Sequence, residues 1–344
     1  MIYLLITERP QRVDTVGART GRRYRNPQMT GKPGDGEVST REQIFELLGN
    51  DTRMGIMQAL WEGFEFEHYV TESQEPLPFS ELKTRSEYEG TGNFNYHLER
   101  LTGGLVEFRG DGYVLSPLGY NVMRALDTFA TFEYETVDES HLPGPCPFCA
   151  GELVASYRRE ILEVRCRDCG GLAEDGNFTF VQLESSTAEG VGIERLLDAG
   201  TLRLERRVDS SHHGLCWECY GRLDRSVVLC RDHDRGEDGI CEDCRHRYAG
   251  HVEIDCRNCG TGGTGPLVEY AALVPAVRAA FEREGCGPAT LGPWGFRLAA
   301  FGAVTEDVLS RRPPTVTCRF DPGGETVAVR ITGGDGFRMA VLDG

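Results

Sequence analysis

The chain has 344 residues, enough for two or three domains with buried cores. Its formal net charge is −17, which excludes a general polycation that coats nucleic acid by charge alone. No apolar run reaches the roughly 18 residues of a membrane span. "MIYLLIT" is too short for a secretory leader and has no basic stretch before it. These features predict an intracellular, cytoplasmic protein with no membrane contact, and in a reducing cytosol 13 cysteines point to metal rather than disulfides.

Residues 1–38 hold little hydrophobic periodicity and read as a disordered leader, or as a start set too early, with Met29 as the true one. Residues 39–136 form a compact unit. Ser39 and Glu42 make a capping box ahead of Ile44, Leu47 and Leu48. Asn50-Asp51 starts a second helix with Met54, Met57, Leu60 and Trp61 at helical spacing. A third helix follows Pro78, a fourth runs from Gly92 to Leu101, and "VEFRGDGYVLSPLG" predicts a hairpin whose Asp-Gly supplies positive φ angles. "YNVMRALDTFATFEYE" closes the unit as a helix, and "VDESHLPGP" reads as a linker.

Helices followed by a hairpin are the pattern of a winged helix-turn-helix. In "GTGNFNYHLERL", Phe94, Leu98 and Leu101 make an inward stripe, which leaves Asn93, Asn95, Tyr96 and Arg100 for base edges in the major groove. Arg109 at the hairpin tip, with Lys83 and Arg85 from the preceding helix, is placed to meet phosphates.

The stretches "FELLGNDTRMGIMQALWEG" and "PLPFSELKTRSEYEGTGNFNYHLERLTGGLVEFRGDGYVLSPLGYNVMRAL" resemble the ArsR-like winged-helix regulators, and more closely a haloarchaeal branch of them. Only two of the 37 basic residues are lysines, Lys32 and Lys83, and such an acid-rich, lysine-poor chain is similar to proteins of salt-in halophiles. The resemblance implies binding of double-stranded DNA as a homodimer, with the helices at 119–135 and 193–207 as candidate dimer elements. The Cys pair of metal-sensing members is absent, since no cysteine precedes Cys146.

Five C-x-x-C pairs follow: Cys146/Cys149, Cys166/Cys169, Cys216/Cys219, Cys241/Cys244 and Cys256/Cys259. A C-x-x-C turn aims two thiolates at one point, and two such turns make a tetrahedral zinc site. The first two pairs predict a zinc ribbon over 146–185. A helix is expected over 190–209, and a double zinc-knuckle region over 212–262. There, local repeat logic joins Cys216/Cys219 to Cys230/His233, and Cys241/Cys244 to Cys256/Cys259 around a short hairpin, "RHRYAGHVEID". The competing pairing joins Cys216/Cys219 to one of the later doublets and leaves Cys230 and His233 for the other. Either way, 12 ligands make about three zinc sites per chain. His212 and His213 are rivals to His233. Cys286 and Cys318 are left over as small apolar side chains.

Residues 266–344 read as one helix ("VEYAALVPAVRAAFERE"), a packed turn ("EGCGPATLGPWGFRLAAFG") and an antiparallel sheet built from "TVTCRF", "ETVAVRI" and "FRMAVL". No H-E-x-x-H, P-loop or dinucleotide fingerprint is present, and four ligands per metal leave no open position, so the expectation is not an enzyme. The fold class expected is α+β: a winged helix-turn-helix, small zinc-ribbon β-hairpin modules and a small C-terminal α+β segment. The function expected is a sequence-specific DNA-binding transcriptional regulator with structural zinc sites in a sensor or assembly region and an unidentified effector. The alternatives are an assembly factor contacting the transcription machinery, and a redox or metal sensor using the Cys clusters.

Overall fold

The computed structural model describes residues 41–63, 75–88, 93–129, 134–334 and 336–342. The leader at 1–38, the capping-box residue Ser39 and Gly92 lie outside the described residues. The chain is a mixed α+β protein that divides into two compact units between Arg124 and Ala125.

The first unit holds α1 (Arg41–Leu48), α2 (Asp51–Glu62), α3 (Phe79–Arg85), α4 (Phe94–Leu101), the hairpin β1 (Val106–Arg109) and β2 (Gly112–Leu115), and the start of α5 (Pro117–Phe129). Asn50 caps α2 as expected, its side-chain oxygen accepting from the Arg53 amide at 3.1 Å. The buried Arg53 then turns back and donates to the carbonyls of Leu47 (2.5 Å) and Glu46 (2.6 Å), which satisfies the open end of α1. Leu47, Ile56, Met57, Leu60, Leu82, Leu98 and Leu101 share one core. In the hairpin turn it is Gly110, at φ 63°, that takes the left-handed conformation. Gly112 is needed for a different reason from the one its Asp-Gly setting suggests: a Cβ there would lie 2.7 Å from the Leu77 backbone, which exchanges hydrogen bonds of 3.0 and 2.9 Å with Tyr113.

The second unit contains three antiparallel sheets. The first has order β3 (Thr136–Pro145), β4 (Glu152–Arg158), β5 (Ile161–Cys166), β6 (Asn177–Gln182). After α6 (Ser185–Ala188) and α7 (Ile193–His212), the second sheet pairs β7 (Leu223–Leu229), β8 (Gly250–Cys256) and β9 (Gly262–Pro266). Three helices follow, α8 (Leu267–Ala272), α9 (Pro275–Arg283) and α10 (Pro288–Gly302). The third sheet is β10 (Val304–Arg311), β11 (Pro314–Phe320), β12 (Val327–Thr332) and β13 (Arg338–Leu342).

Several local expectations change. The "linker" is the edge strand β3, whose pairing with β4 slips register twice and so tolerates Pro143 and Pro145. The single helix after Pro266 is two, because Pro275 has no amide hydrogen and holds Val274 extended at ψ 134°. The "packed turn" is α10, in which Pro288 sits in the first turn and Gly292 (φ 71°) kinks the axis, while Trp294, Phe296, Ala300 and Phe301 are buried. "RHRYAGHVEID" forms no hairpin of its own; its second half is β8, paired with β7 and β9. Residues from all three sheets and from α7–α10 contribute to one continuous core, including Leu153, Val164, Leu196, Val252, Tyr270, Phe296 and Val329. Cys318 is fully buried in it, and Cys286 packs at its margin.

Candidate metal centres and a candidate nucleic-acid face

The 12 predicted ligands come together as three tetrads: Cys146, Cys149, Cys166 and Cys169; Cys216, Cys219, Cys256 and Cys259; and Cys230, His233, Cys241 and Cys244. The first is the ribbon expected. The other two overturn the preferred local pairing and adopt the competing one, so that the third tetrad is nested inside the second. His212 and His213 take no part in any of them.

The register of the sheets explains the nesting. In the first ribbon the Cys146/Cys149 knuckle leads into β4, and Leu153 pairs with Cys166 at the end of β5. In the second the Cys216/Cys219 knuckle leads into β7, and Leu223 pairs with Cys256 at the end of β8. Each leucine follows its knuckle's second cysteine by the same interval. The two ribbons are one design that differs at the far end. There Arg158 and Ile161 flank a two-residue turn, Arg159-Glu160, with φ of 51° and 63°. Leu229 and Gly250 instead flank a long excursion that carries Cys230, His233, Cys241 and Cys244. The second and third tetrads therefore cap opposite ends of a ladder about 20 Å long.

The knuckles share a backbone solution. The residue after the second cysteine adopts a positive φ in four of them: Ala150 (58°), Tyr220 (56°), Arg245 (57°) and Gly260 (77°). In each of these the amide of that residue donates to the carbonyl of the first cysteine, at 2.8 to 3.0 Å. This turn aims backbone N–H groups at sulfur: Phe148 to Cys146, Gly151 to Cys149, Glu218 to Cys216 and Gly221 to Cys219, at 3.4 to 3.5 Å. Such donors stabilise thiolate charge and orient the ligand.

The donor geometry fits zinc. Tetrahedral Zn–S bonds of about 2.3 Å place sulfurs about 3.8 Å apart. The observed separations are 3.7 Å for Cys146–Cys169, 3.5 Å for Cys149–Cys166, 3.6 Å for both Cys216–Cys259 and Cys219–Cys256, and 3.9 Å for Cys230–Cys241. His233 presents Nδ1, 3.5 Å from Cys244 Sγ, and turns Nε2 to the Arg247 carbonyl at 3.0 Å. The thiols are unequal. Burial pushes Cys216 and Cys244 up to about 12. The Thr261 hydroxyl and amide hold Cys259 down at about 6, and the Asn258 side chain lowers Cys219. A divalent cation supplies the positive charge that lets buried thiols shed their protons. The three sites fit about three structural zinc ions per chain, each enclosed by four protein donors.

Sequence reading missed the residue that joins two of these sites. Arg247 donates from Nε to the Gly171 carbonyl (2.5 Å) and from Nη2 to the Asp238 carbonyl (2.9 Å), and its guanidinium lies 4.0 Å from the Phe148 ring centroid. It thus ties the first knuckle pair to the excursion of the third tetrad. No motif marks it, because its partners are backbone groups distant in sequence.

In the first unit, α4 buries Phe94, Leu98 and Leu101 and exposes Asn95, Tyr96 and Arg100. Asn93 is the N-cap of α4, with its side-chain oxygen accepting from the Tyr96 amide at 3.2 Å. Acidic neighbours engage most of the other candidates. Asn95 bonds Glu99 (2.5 Å), and Arg100 pairs with Glu46 (3.2 Å), Arg109 with Glu107 (3.2 Å) and Arg85 with Glu81 (2.5 Å). The Lys83 ammonium sits 6.0 Å from the Tyr88 ring centroid. Among the described residues, no helix is long and apolar enough to cross a membrane.

Fold and ligand sets together define a mixed α+β protein with three Cys/His tetrads built on small antiparallel sheets. The chain belongs to the family described as a domain of unknown function, DUF7351, which matches residues 143–334 and includes all 12 ligands. A second domain of unknown function, DUF7347, matches residues 41–126. No curated protein and no solved structure matches the chain.

Proposed function

We propose that the first unit is a winged helix-turn-helix and that the protein is a transcriptional regulator binding double-stranded DNA through α4. One observation carries this reading: α4 divides cleanly into a buried stripe and an exposed face of Asn95, Tyr96 and Arg100, and a short hairpin with Arg109 near its tip follows it. An exposed helix face of this composition suits a major groove, and a hairpin suits the flanking phosphates. In this reading the three zinc sites stiffen a second unit that serves regulation or assembly, and neither unit is an enzyme.

The acidic partners of Asn95, Arg100, Arg109 and Arg85 favour a second reading, in which the same face docks a protein of the transcription machinery. Carboxylates beside the cations reduce the counterion release that drives most DNA binding. Footprinting across a salt series into the multimolar range separates the two. Sequence-selective protection that is lost in Tyr96→Ala and Arg100→Ala supports the DNA reading. Absence of protection at every salt concentration, with polymerase subunits co-purifying, supports docking.

A further inference from the structure

The second unit carries a pocket of about 180 Å³, open on one side, lined by parts of β6, β8, β9, α7, α8 and α10 and by the chain entering β8. Its walls are mainly apolar, with Leu172, Phe178, Leu204, Tyr248 and Pro266. Two arginines interrupt them. Arg207, on α7, passes over β9 where a Cβ on Gly263 would lie 1.7 Å from its Nη2, so the glycine-rich strand makes room for it. Its Nη2 lies 3.3 Å from the Thr264 carbonyl and its guanidinium 4.8 Å from the Trp217 ring centroid. Among the described residues it has no carboxylate partner, although the chain carries a net charge of −17.

Arg297, on α10, is only 9% exposed. Its Nε pairs with Glu269 at 2.8 Å and its Nη2 donates to the Phe178 carbonyl at 3.0 Å. Its Nη1 is buried with no hydrogen-bond partner. The side chain borders both this cavity and a smaller one beside it, which share Leu204, Glu269 and Arg297. The rest of the polar lining is His246 and His251, with ring centroids 4.9 Å apart, together with Asn177, Thr179, Thr264 and the Glu269 carboxylate, whose charge Arg297 already meets.

A buried guanidinium N–H left without an acceptor is costly and uncommon. An apolar hollow with a few convergent polar groups is the usual form of a small-molecule site. A carboxylate offers only acceptors, so one of its oxygens can meet the Arg297 Nη1 donors that Glu269 and Phe178 leave open. A dry cavity of about 150 Å³ admits benzene, so this one has room for a single ring or a short aliphatic chain. We propose that this pocket binds a small organic carboxylate, with its acid group accepting from Arg297 and Arg207 and its apolar body against Phe178 and Tyr248. The site is independent of whether α4 contacts DNA.

The test is calorimetric titration of the full, zinc-loaded chain with benzoate, phenylacetate and hexanoate, and with benzamide as the uncharged control. At least one acid should bind saturably at one per chain, with benzamide at least about tenfold weaker. Arg207→Gln should weaken the acid about tenfold, because one charge-assisted contact is lost. Arg297→Gln should do so at least as strongly, and if that variant fails to fold, Arg207→Gln alone decides. No saturable binding by any of the three acids, equal binding of benzamide, or acid binding unchanged in Arg207→Gln would overturn the proposal.

Discussion

His233 Nε2 lies 3.0 Å from the backbone carbonyl of Arg247 while Nδ1 of the same ring faces Cys244 Sγ. The carbonyl can only accept, so Nε2 carries the proton and Nδ1 is left with the lone pair a metal needs. The backbone carbonyl thus decides which ring nitrogen faces the thiolates. His233→Ala should therefore lower the zinc content from about three to about two per chain by elemental analysis. His233→Cys should restore it. Three zinc ions retained in His233→Ala would show that the ring is not a ligand.

The nested pairing has a sharper test than any single substitution. Cys216→Ser with Cys256→Ser removes two donors from one tetrad and should cost one zinc per chain. Cys216→Ser with Cys230→Ser removes one donor from each of two tetrads and should weaken two sites. Local pairing of each knuckle with its nearest neighbour in sequence predicts the reverse result for these two doubles, as read by zinc release to a chelator.

Arg247 bridges the first and third tetrads by bonds to the Gly171 and Asp238 carbonyls. Arg247→Ala leaves the buried Gly171 carbonyl unmet, while the exposed Asp238 carbonyl turns to water, and should destabilise the zinc-loaded protein by roughly 1–3 kcal/mol. Arg247→Lys keeps the charge but not the planar fork, so it should fall between the two. Thermal unfolding of the loaded protein measures this, and faster zinc loss from both sites should accompany it.

Glu139 on β3 pairs with Arg165 and Arg167, and these hold its carboxyl down at about 2 from the ordinary 4.5. A depressed carboxyl stabilises the fold fully above its unfolded value and loses that contribution as pH falls through its folded value. The stability gap between the wild type and Glu139→Gln should thus close as pH drops from about 5 towards 2. It should also shrink with added salt at neutral pH, because the cluster is exposed.

Much of this was legible from residue order. The inward stripe of Phe94, Leu98 and Leu101 follows from helical spacing, the Asn50 cap from its place before an apolar run, and the 12 ligands from the C-x-x-C interval. Elements rich in Gly and Pro were not legible. Those residues mark turns on average, yet Pro288 sits in a helix's first turn, Gly292 makes a kink within that helix, and Pro143 and Pro145 lie on a sheet edge.

Local chemistry alone determined that the donors would come in pairs, since a short turn can aim two ligands at one point without help from the rest of the chain. Which knuckles share a metal was decided by the β7–β8 ladder. Its antiparallel register brings Cys256 beside Leu223 and sends Cys230 to the far end. The placement of Arg247, Arg297 and Arg207 against distant backbone and cavity walls was likewise tertiary. Such contacts exist only once sheets and helices have packed into one core, and they leave no spacing in the sequence to read.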